Sequence, residues 1–306
     1  MEATMTRDTS PEIQHPAPVF IDLPNDLGVH SAPTVDIWYL SCQLTSGQRH
    51  FNTQTLVVTN VAHPVSTQVY LVESGGQSVR HAVSNFAETE GALDAGRLAI
   101  KLPSVTLKGD ESRMELQAVA EDARLNLLLT RNAPILYANG TGLFPYHGGG
   151  TYQLSMVDLT ASGTLTLEGE SLDVTGSCWF DRQWAANAEA FATGGSFLWM
   201  GLSLDNGDNL SLWDQVAPDG RAYCWATVAR PDGTHLITPV NLDAAPGGTD
   251  SRGPWKLILA GIGIELTVTQ EAIHDAGGFY SGACTVRGQS PTAVISGYGF
   301  VDISGR

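Results

Sequence analysis

The sequence predicts an all-β protein built as two antiparallel β-barrels or sandwiches packed together, and three observations carry that prediction. Apolar and polar residues alternate with period two along most of the 306-residue chain, as in strands with one buried face. Asn-Gly and Asp-Gly pairs punctuate the second half at hairpin spacing, because these residues tolerate the positive φ of tight turns. Few segments support a helix; "WAANAEAFA" at 184–192 is the best of them, and it is short.

Residues 1–33, with Pro11, Pro16, Pro18, Pro24 and Pro33, read as a leader that wraps or frays. A first domain over 34–185 begins with "VDIWYLSCQL" and "HFNTQTLVV", which flank a short connection and form a hairpin. "QVYLVE", "RLAIKL", "SVTLKG", "RMELQAVA", "RLNLLLT" and "YQLSMVDLT" follow as further strands, interrupted by the glycine-rich "GTGLFPYHGGG" at 140–150. That break is either a flexible loop or a place where backbone approaches a ligand closely. A second domain over 186–306 starts as a meander. "SFLWMGLSL", "NLSLWDQV", "RAYCWATVA" and "THLITPV" are joined at Asn206-Gly207, Asp219-Gly220 and Asp232-Gly233. "WKLILA", "IELTVTQ", "FYSGACTVRG" and "TAVISGYGFVDI" complete it. The total, about sixteen to eighteen strands, exceeds one small barrel.

Composition removes several functions. A formal charge of −16 with only 16 Lys+Arg leaves no basic cluster for nucleic acid or anionic lipid. The longest apolar run, "LILAGIGI" at 257–264, is far short of the roughly 20 residues that span a bilayer, so no stable membrane insertion is expected. The amino terminus lacks a signal-type apolar core, which makes the cytoplasm the expected compartment. Cys42, Cys178, Cys224 and Cys284 are scattered without a C-x-x-C pair, indicating neither a zinc knuckle nor a disulfide framework. The 8 histidines form no H-x-H or H-x-x-x-H pair, so no metal is expected. "GIGIEL" and "GYGFVD" lack the third glycine and the βαβ setting of a dinucleotide site. No G-x-S-x-G nucleophile elbow is present.

What remains is an inventory of 7 tryptophans in or beside strands. Inward aromatic side chains of a barrel can line a cavity. Trp38, Trp179, Trp184, Trp199 and Trp213, with Gln54, are the candidate substrate-binding residues. The stretch "CWFDRQWA" at 178–185 places three polar residues among large aromatics. Strand parity puts Trp179, Asp181 and Gln183 on one face and Cys178, Phe180, Arg182 and Trp184 on the other. Asp181 and Arg182 therefore point apart, and a buried Arg182 requires either a carboxylate on its own face or a bulge that resets the parity. Asp181, Gln183, Arg182 and Tyr39 are the candidate catalytic residues.

"VTGSCWFDRQWA" resembles the signature of the double-lipocalin family of carotenoid 1,2-hydratases and AttH-like proteins, approximately V-T-G-x-x-W-x-D-x-Q-W-G. "DIWYLSCQLTSGQRHFNTQTLVV" resembles that family's E-W-W-Y strand and the strand after it. "LWMGLSLDNGDNLSLWD" and "YSGACTVRGQSPTAVISGYGFVD" resemble its later segments, so the likeness covers nearly the whole chain. Asp36-Ile37 stands where the family has Glu-Trp, Ala185 replaces a glycine, and Asp302 replaces a closing Glu. The resemblance implies two lipocalin-like domains and a cofactor-free enzyme acting on an apolar, often polyunsaturated molecule. It also implies a pocket at or between the two domains.

Three activities fit these readings. The first is a Diels–Alder-type intramolecular cyclisation of a polyene, such as a polyketide, folded against the tryptophans and polarised by Gln183, Arg182 or Tyr39. The second is a hydratase of an isoprenoid or polyene double bond, with Asp181 as proton donor and Asp36 or Asp214 as alternative acids. The third is a carrier of an apolar ligand, which places no demand on Asp181 or Arg182.

Overall fold

The computed structural model describes residues 19–30, 35–59, 65–75, 79–87, 90–147, 149–185, 194–249, 253–276 and 279–305. Among them, antiparallel pairing builds two curled sheets. The first contains β1 (Val35–Ser46), β2 (Arg49–Thr59), β3 (Val65–Glu73), β4 (Val79–Phe86), β5 (Ala92–Leu93), β6 (Leu98–Lys101) and β7 (Val105–Gly109). It continues through β8 (Arg113–Ala120), β9 (Ala123–Arg131), β10 (Ile135–Tyr137), β11 (Leu143–Tyr146), β12 (Gly149–Leu167) and β13 (Glu170–Ala185). Its order is β4-β3-β2-β1-β13-β12-β9-β8-β7-β6-β5, with β10 and β11 also laid on β12. Strands β3 and β4 pack across onto β8, which curls the sheet toward a barrel.

The second sheet contains β14 (Ser196–Leu204), β15 (Asn209–Val216), β16 (Ala222–Ala229), β17 (His235–Pro239) and β18 (Asn241–Thr249). It is completed by β19 (Gly253–Leu259), β20 (Ile264–Ala276), β21 (Phe279–Gln289) and β22 (Val294–Ser304). The order β17-β16-β15-β14-β22-β21-β20-β19-β18 places the last strand beside the first. The three expected hairpins form, with Gly207, Gly220 and Gly233 at φ of 86°, 83° and 85°. Only a residue without Cβ holds that conformation cheaply.

The 22 strands among the described residues exceed the expected number. The additional ones, β4, β5, β10, β11 and β18, are too short or too irregular to carry a period-two signal. The glycine-rich break is not a loop: β11 folds back onto β12 and buries Phe144 and Tyr146. Of the expected short helix at 184–192, Trp184 and Ala185 belong to β13 and residues 186–192 lie outside the described residues. The cysteine reading is corrected. The β1–β13 register sets Cys42 opposite Cys178, and the two form a disulfide across 136 residues of sequence. No helix among the described residues is long and apolar enough to cross a membrane.

Burial patterns explain where the two domains meet. Strand β8 alternates as a half-exposed strand should, with Met114, Leu116 and Ala118 inward and Arg113, Glu115 and Gln117 outward. The second half of β13 is buried at every residue from Cys178 to Ala185. One face of that strand feeds the first barrel core through Cys178 and Phe180. Its other face meets the second domain in a separate aromatic cluster that includes Tyr39, Trp179, Trp199, Trp213, Phe144 and Phe300. Polar contacts clasp the same interface: Gln43 Nε2 donates to Gly299 O at 3.0 Å, and Tyr298 Oη to Asp158 Oδ1 at 2.7 Å.

Candidate active site

Two sheet faces oppose each other across a cavity of about 250 Å³. On the first, register aligns the side chains in rows. Ile37 pairs with Val58 and Gln183, Tyr39 with Leu56 and Asp181, and Ser41 with Gln54 and Trp179. Strand β12 extends two rows, setting Gln153 beside Gln183 and Ser155 beside Asp181. On the second face a single row runs Trp213, Trp199, Asp302, Ser281 across β15, β14, β22 and β21. Gly201 is required by the same packing, because a Cβ there would stand 2.7 Å from the Trp199 ring and 2.9 Å from that of Trp179.

Two carboxyl groups, one from each domain, meet at this cavity. Asp181 Oδ1 accepts hydrogen bonds from Trp179 Nε1 at 2.6 Å and Ser155 Oγ at 2.5 Å. Asp302 Oδ1 accepts from Tyr39 Oη at 3.1 Å and from Ser281 Oγ. Those donors are themselves supplied, Tyr39 by Ser41 Oγ at 2.6 Å and Ser281 by Gln54 Nε2 at 2.9 Å. Burial pushes the Asp181 carboxyl up to about 7, against the opposing pull of its hydrogen bonds. Asp302 is pushed to about 7 by burial, with the nearby Asp181 charge adding to the rise. Burial and the Asp302 charge hold the Tyr39 phenol well above its ordinary range, so it acts as a neutral donor.

The remaining wall is aromatic and apolar. Trp199 meets Tyr39 edge-on at 5.7 Å and Trp179 at 5.8 Å, while Phe197 and Tyr146 each lie 5.6 Å from Trp213. Trp213 Nε1 donates to Gln153 Oε1 at 3.2 Å, which ties the two faces together. Such an enclosure suits an apolar molecule that carries or develops a cationic centre. No group of three or more metal-ligating side chains occurs among the described residues.

Of the residues singled out in the sequence, Tyr39, Asp181, Gln183, Trp199 and Trp213 line the cavity. Trp179 stands behind Asp181 as its donor, and Gln54 lies one hydrogen bond behind Ser281 and Asp302. Arg182, Trp38 and Trp184 are on the opposite face and reach neither cavity nor carboxyl pair. The Arg182 guanidinium is fully buried and paired with Asp36, so of the two alternatives, a carboxylate on its face or a bulge, the structure holds the carboxylate. It donates to Asp26 O at 2.9 Å, to Gly28 O and to Gln183 O, and lies over the Trp38 ring at 4.2 Å and the Trp184 ring at 5.1 Å. These three residues bind the leader: Trp38 Nε1 donates to Leu27 O at 2.9 Å, and Trp184 stacks between His30 and Tyr152.

Asp36 is corrected as an alternative acid. Burial raises its carboxyl, but His30 and Arg182 overcome that effect and hold it below its ordinary value. Asp214 lies on the face of β15 opposite Trp213 and does not line the cavity. Sequence reasoning missed Asp302, Ser281, Gln153, Ser155, Tyr146 and Phe197 as site residues. Asp302 carried a signal, as the acid closing "GYGFVD"; the others become site residues only through cross-strand register.

The AttH-like family profile matches residues 14–306 of the chain. Two solved structures share its fold. One, assigned to an AttH from Nitrosomonas europaea, is 19% identical with a TM-score of 0.75 over 94% of this chain and 99% of that one. The other, kievitone hydratase from Nectria haematococca, is 17% identical with a TM-score of 0.72 over 92% and 90%. No curated protein sequence matches the chain significantly.

Proposed function

The chain belongs to the AttH-like family, and from that premise we propose that it is a cofactor-independent hydratase that adds water to a carbon–carbon double bond of an apolar isoprenoid or polyene. The observation that carries the reading is the pair of buried carboxyls, Asp181 and Asp302, facing an aromatic cavity and each raised to about 7. Two like groups this close do not both ionise readily, so near neutral pH the pair holds one proton. One carboxyl then delivers its proton to an alkene carbon. The faces of Trp199 and Trp213 stabilise the resulting cation. The other, ionised carboxylate takes a proton from water as the water oxygen bonds to the cationic carbon. Alkene and water become an alcohol, and transfer of the proton between the two carboxyls restores the starting state. The name of the Nectria haematococca neighbour is consistent with this chemistry.

Diels–Alder-type cyclisation of a polyene or polyketide, the first expectation from the sequence, draws on the aromatic wall and on a donor such as Tyr39 or Gln183, and leaves the carboxyl pair without a task. A carrier does the same. The test incubates the protein with geraniol, kievitone and linear polyene polyketides, followed by mass spectrometry. Hydration gives a product heavier by one water and falls by about a hundredfold or more in Asp181→Asn. An isomer of unchanged mass, formed at the same rate by Asp181→Asn, would replace hydration with cyclisation.

A further inference from the structure

The carboxyl pair does not by itself say where the water sits. Gln54 breaks the symmetry. Its side chain is fully buried on β2, on the same face as Leu56 and Val58 of the cavity wall. The direction of its amide is set by the chain it belongs to. Ser281 Oγ gives its proton to Asp302, so it can only accept from Gln54, and Nε2 is the atom that faces it. Oε1 therefore points away from Ser281, and it is buried with no hydrogen bond from any described residue. A buried acceptor left in that state is costly, and a donor molecule at the site removes the cost. The neighbouring protein donors are already committed, Ser41 to Tyr39 and Tyr39 to Asp302.

We propose that Gln54 holds the reacting water, with Gln54 Oε1 and the Asp302 carboxylate accepting its two protons. This rests on the hydratase reading and extends it by assigning the roles within the carboxyl pair. A water held by two acceptors has its lone pairs directed away from them, toward the cavity. Asp302 is then the base that takes the water proton, and Asp181, on the opposite face beside Trp179 and Trp199, is the acid that protonates the alkene. Atoms balance as before: the alkene gains one proton from Asp181 and one hydroxyl from the water, and Asp302 gains the second water proton.

Gln54→Met keeps the length of the side chain and removes the acceptor, whereas Gln54→Glu keeps an acceptor. Each variant, checked for native folding by circular dichroism, is incubated with geraniol and with kievitone in deuterium oxide. Wild type gives deuterated alcohol. Gln54→Met still protonates the alkene, so deuterium enters recovered or isomerised alkene, while the ratio of alcohol to exchanged alkene falls by about tenfold to a hundredfold. Gln54→Glu restores part of that ratio. An unchanged ratio in Gln54→Met would overturn the assignment while leaving hydration standing. A high-resolution crystal structure of the wild type supplies the readout that does not depend on turnover. A water bonded to both Gln54 Oε1 and Asp302 supports the site, and a wild-type site without one overturns it. That water, seen in a protein that neither hydrates nor exchanges any of the alkene probes, would overturn the hydratase reading and keep Gln54 as a water ligand.

Discussion

Asp36 and Asp181 lie on adjacent strands, both buried, and their carboxyls behave in opposite ways. Asp36 faces the leader side, where Arg182 and His30 keep it ionised. Asp181 faces the domain interface, where the partners Trp179 and Ser155 are neutral and burial pushes it up to about 7. Alternate residues of one strand, β13, thus serve two centres. Arg182 supplies the positive charge of a closed ion pair, and Asp181 supplies a titratable acid to a cavity. Burial does not decide the charge of a carboxyl; the sign of what lies within hydrogen-bonding distance does.

The most damaging way to break this comparison is to remove the cation. Arg182→Met strands the Asp36 charge in the core and is expected to cost about 3–5 kcal/mol in denaturant unfolding. The double variant Arg182→Met/Asp36→Leu recovers most of that loss, since an apolar pair can replace a buried ion pair. An unchanged midpoint for the single variant would show that Asp36 is not held as a charge. Asp181→Asn is the opposite case. It lowers turnover by about a hundredfold or more and leaves stability at neutral pH unchanged or higher, because it replaces a group that is poorly tolerated as an ion. If it unfolded as readily as Arg182→Met, the two centres would be alike.

Titration sharpens the contrast. Asp181 and Asp302 have folded values raised to about 7 from 3.8, so between those values the native state holds protons that the unfolded chain releases. Their contribution makes stability fall as pH rises from about 4 to about 7 and level off above. Turnover declines over the same upper range as the shared proton is lost. Asp36 acts in the other direction, since its lowered value gives stability present above 3.8 and lost as pH falls below it. Unfolding midpoints measured across this range should show the first slope reduced in Asp181→Asn and the second reduced in the Arg182→Met/Asp36→Leu double variant, with the other lowered carboxyls supplying the remainder.

The smallest effect belongs to His30. Burial alone would lower its pKa, but hydrogen bonds to Asp36 and Asp26 raise it overall. Its contribution is complete below about 6.5 and is lost as pH rises through the higher folded value. His30→Phe keeps a ring to stack on Trp184 and should cost at most about 1 kcal/mol at pH 6, with less effect at pH 9. An equal effect at both would show that stacking, not charge, holds the leader.

Much of this was legible in the chain. Alternation and Asn-Gly or Asp-Gly pairs specify strands and hairpins because both are local properties of neighbouring residues. The parity of "CWFDRQWA" separates Asp181 from Arg182 and leaves the arginine either a carboxylate partner or a bulge. Parity says which residues share a face, but not what lies opposite. Aromatic content alone therefore points Trp38 and Trp184 to a cavity when their face meets the leader, and nothing local marks Cys42 and Cys178 as neighbours.

An all-β chain, its hairpin turns and two faces of β13 with different chemistry are written into local residue order. Which face became the site follows from long-range packing. Asp302 is 121 residues from Asp181 in the numbering of the chain, and Ser281 is 227 from Gln54. Such pairs are set by the register of long antiparallel strands and by the docking of one sheet on another. Those are sums over many side chains, and no local pattern records them. The raised carboxyls follow from the same cause, because desolvation at the domain interface exists only once both domains are in place.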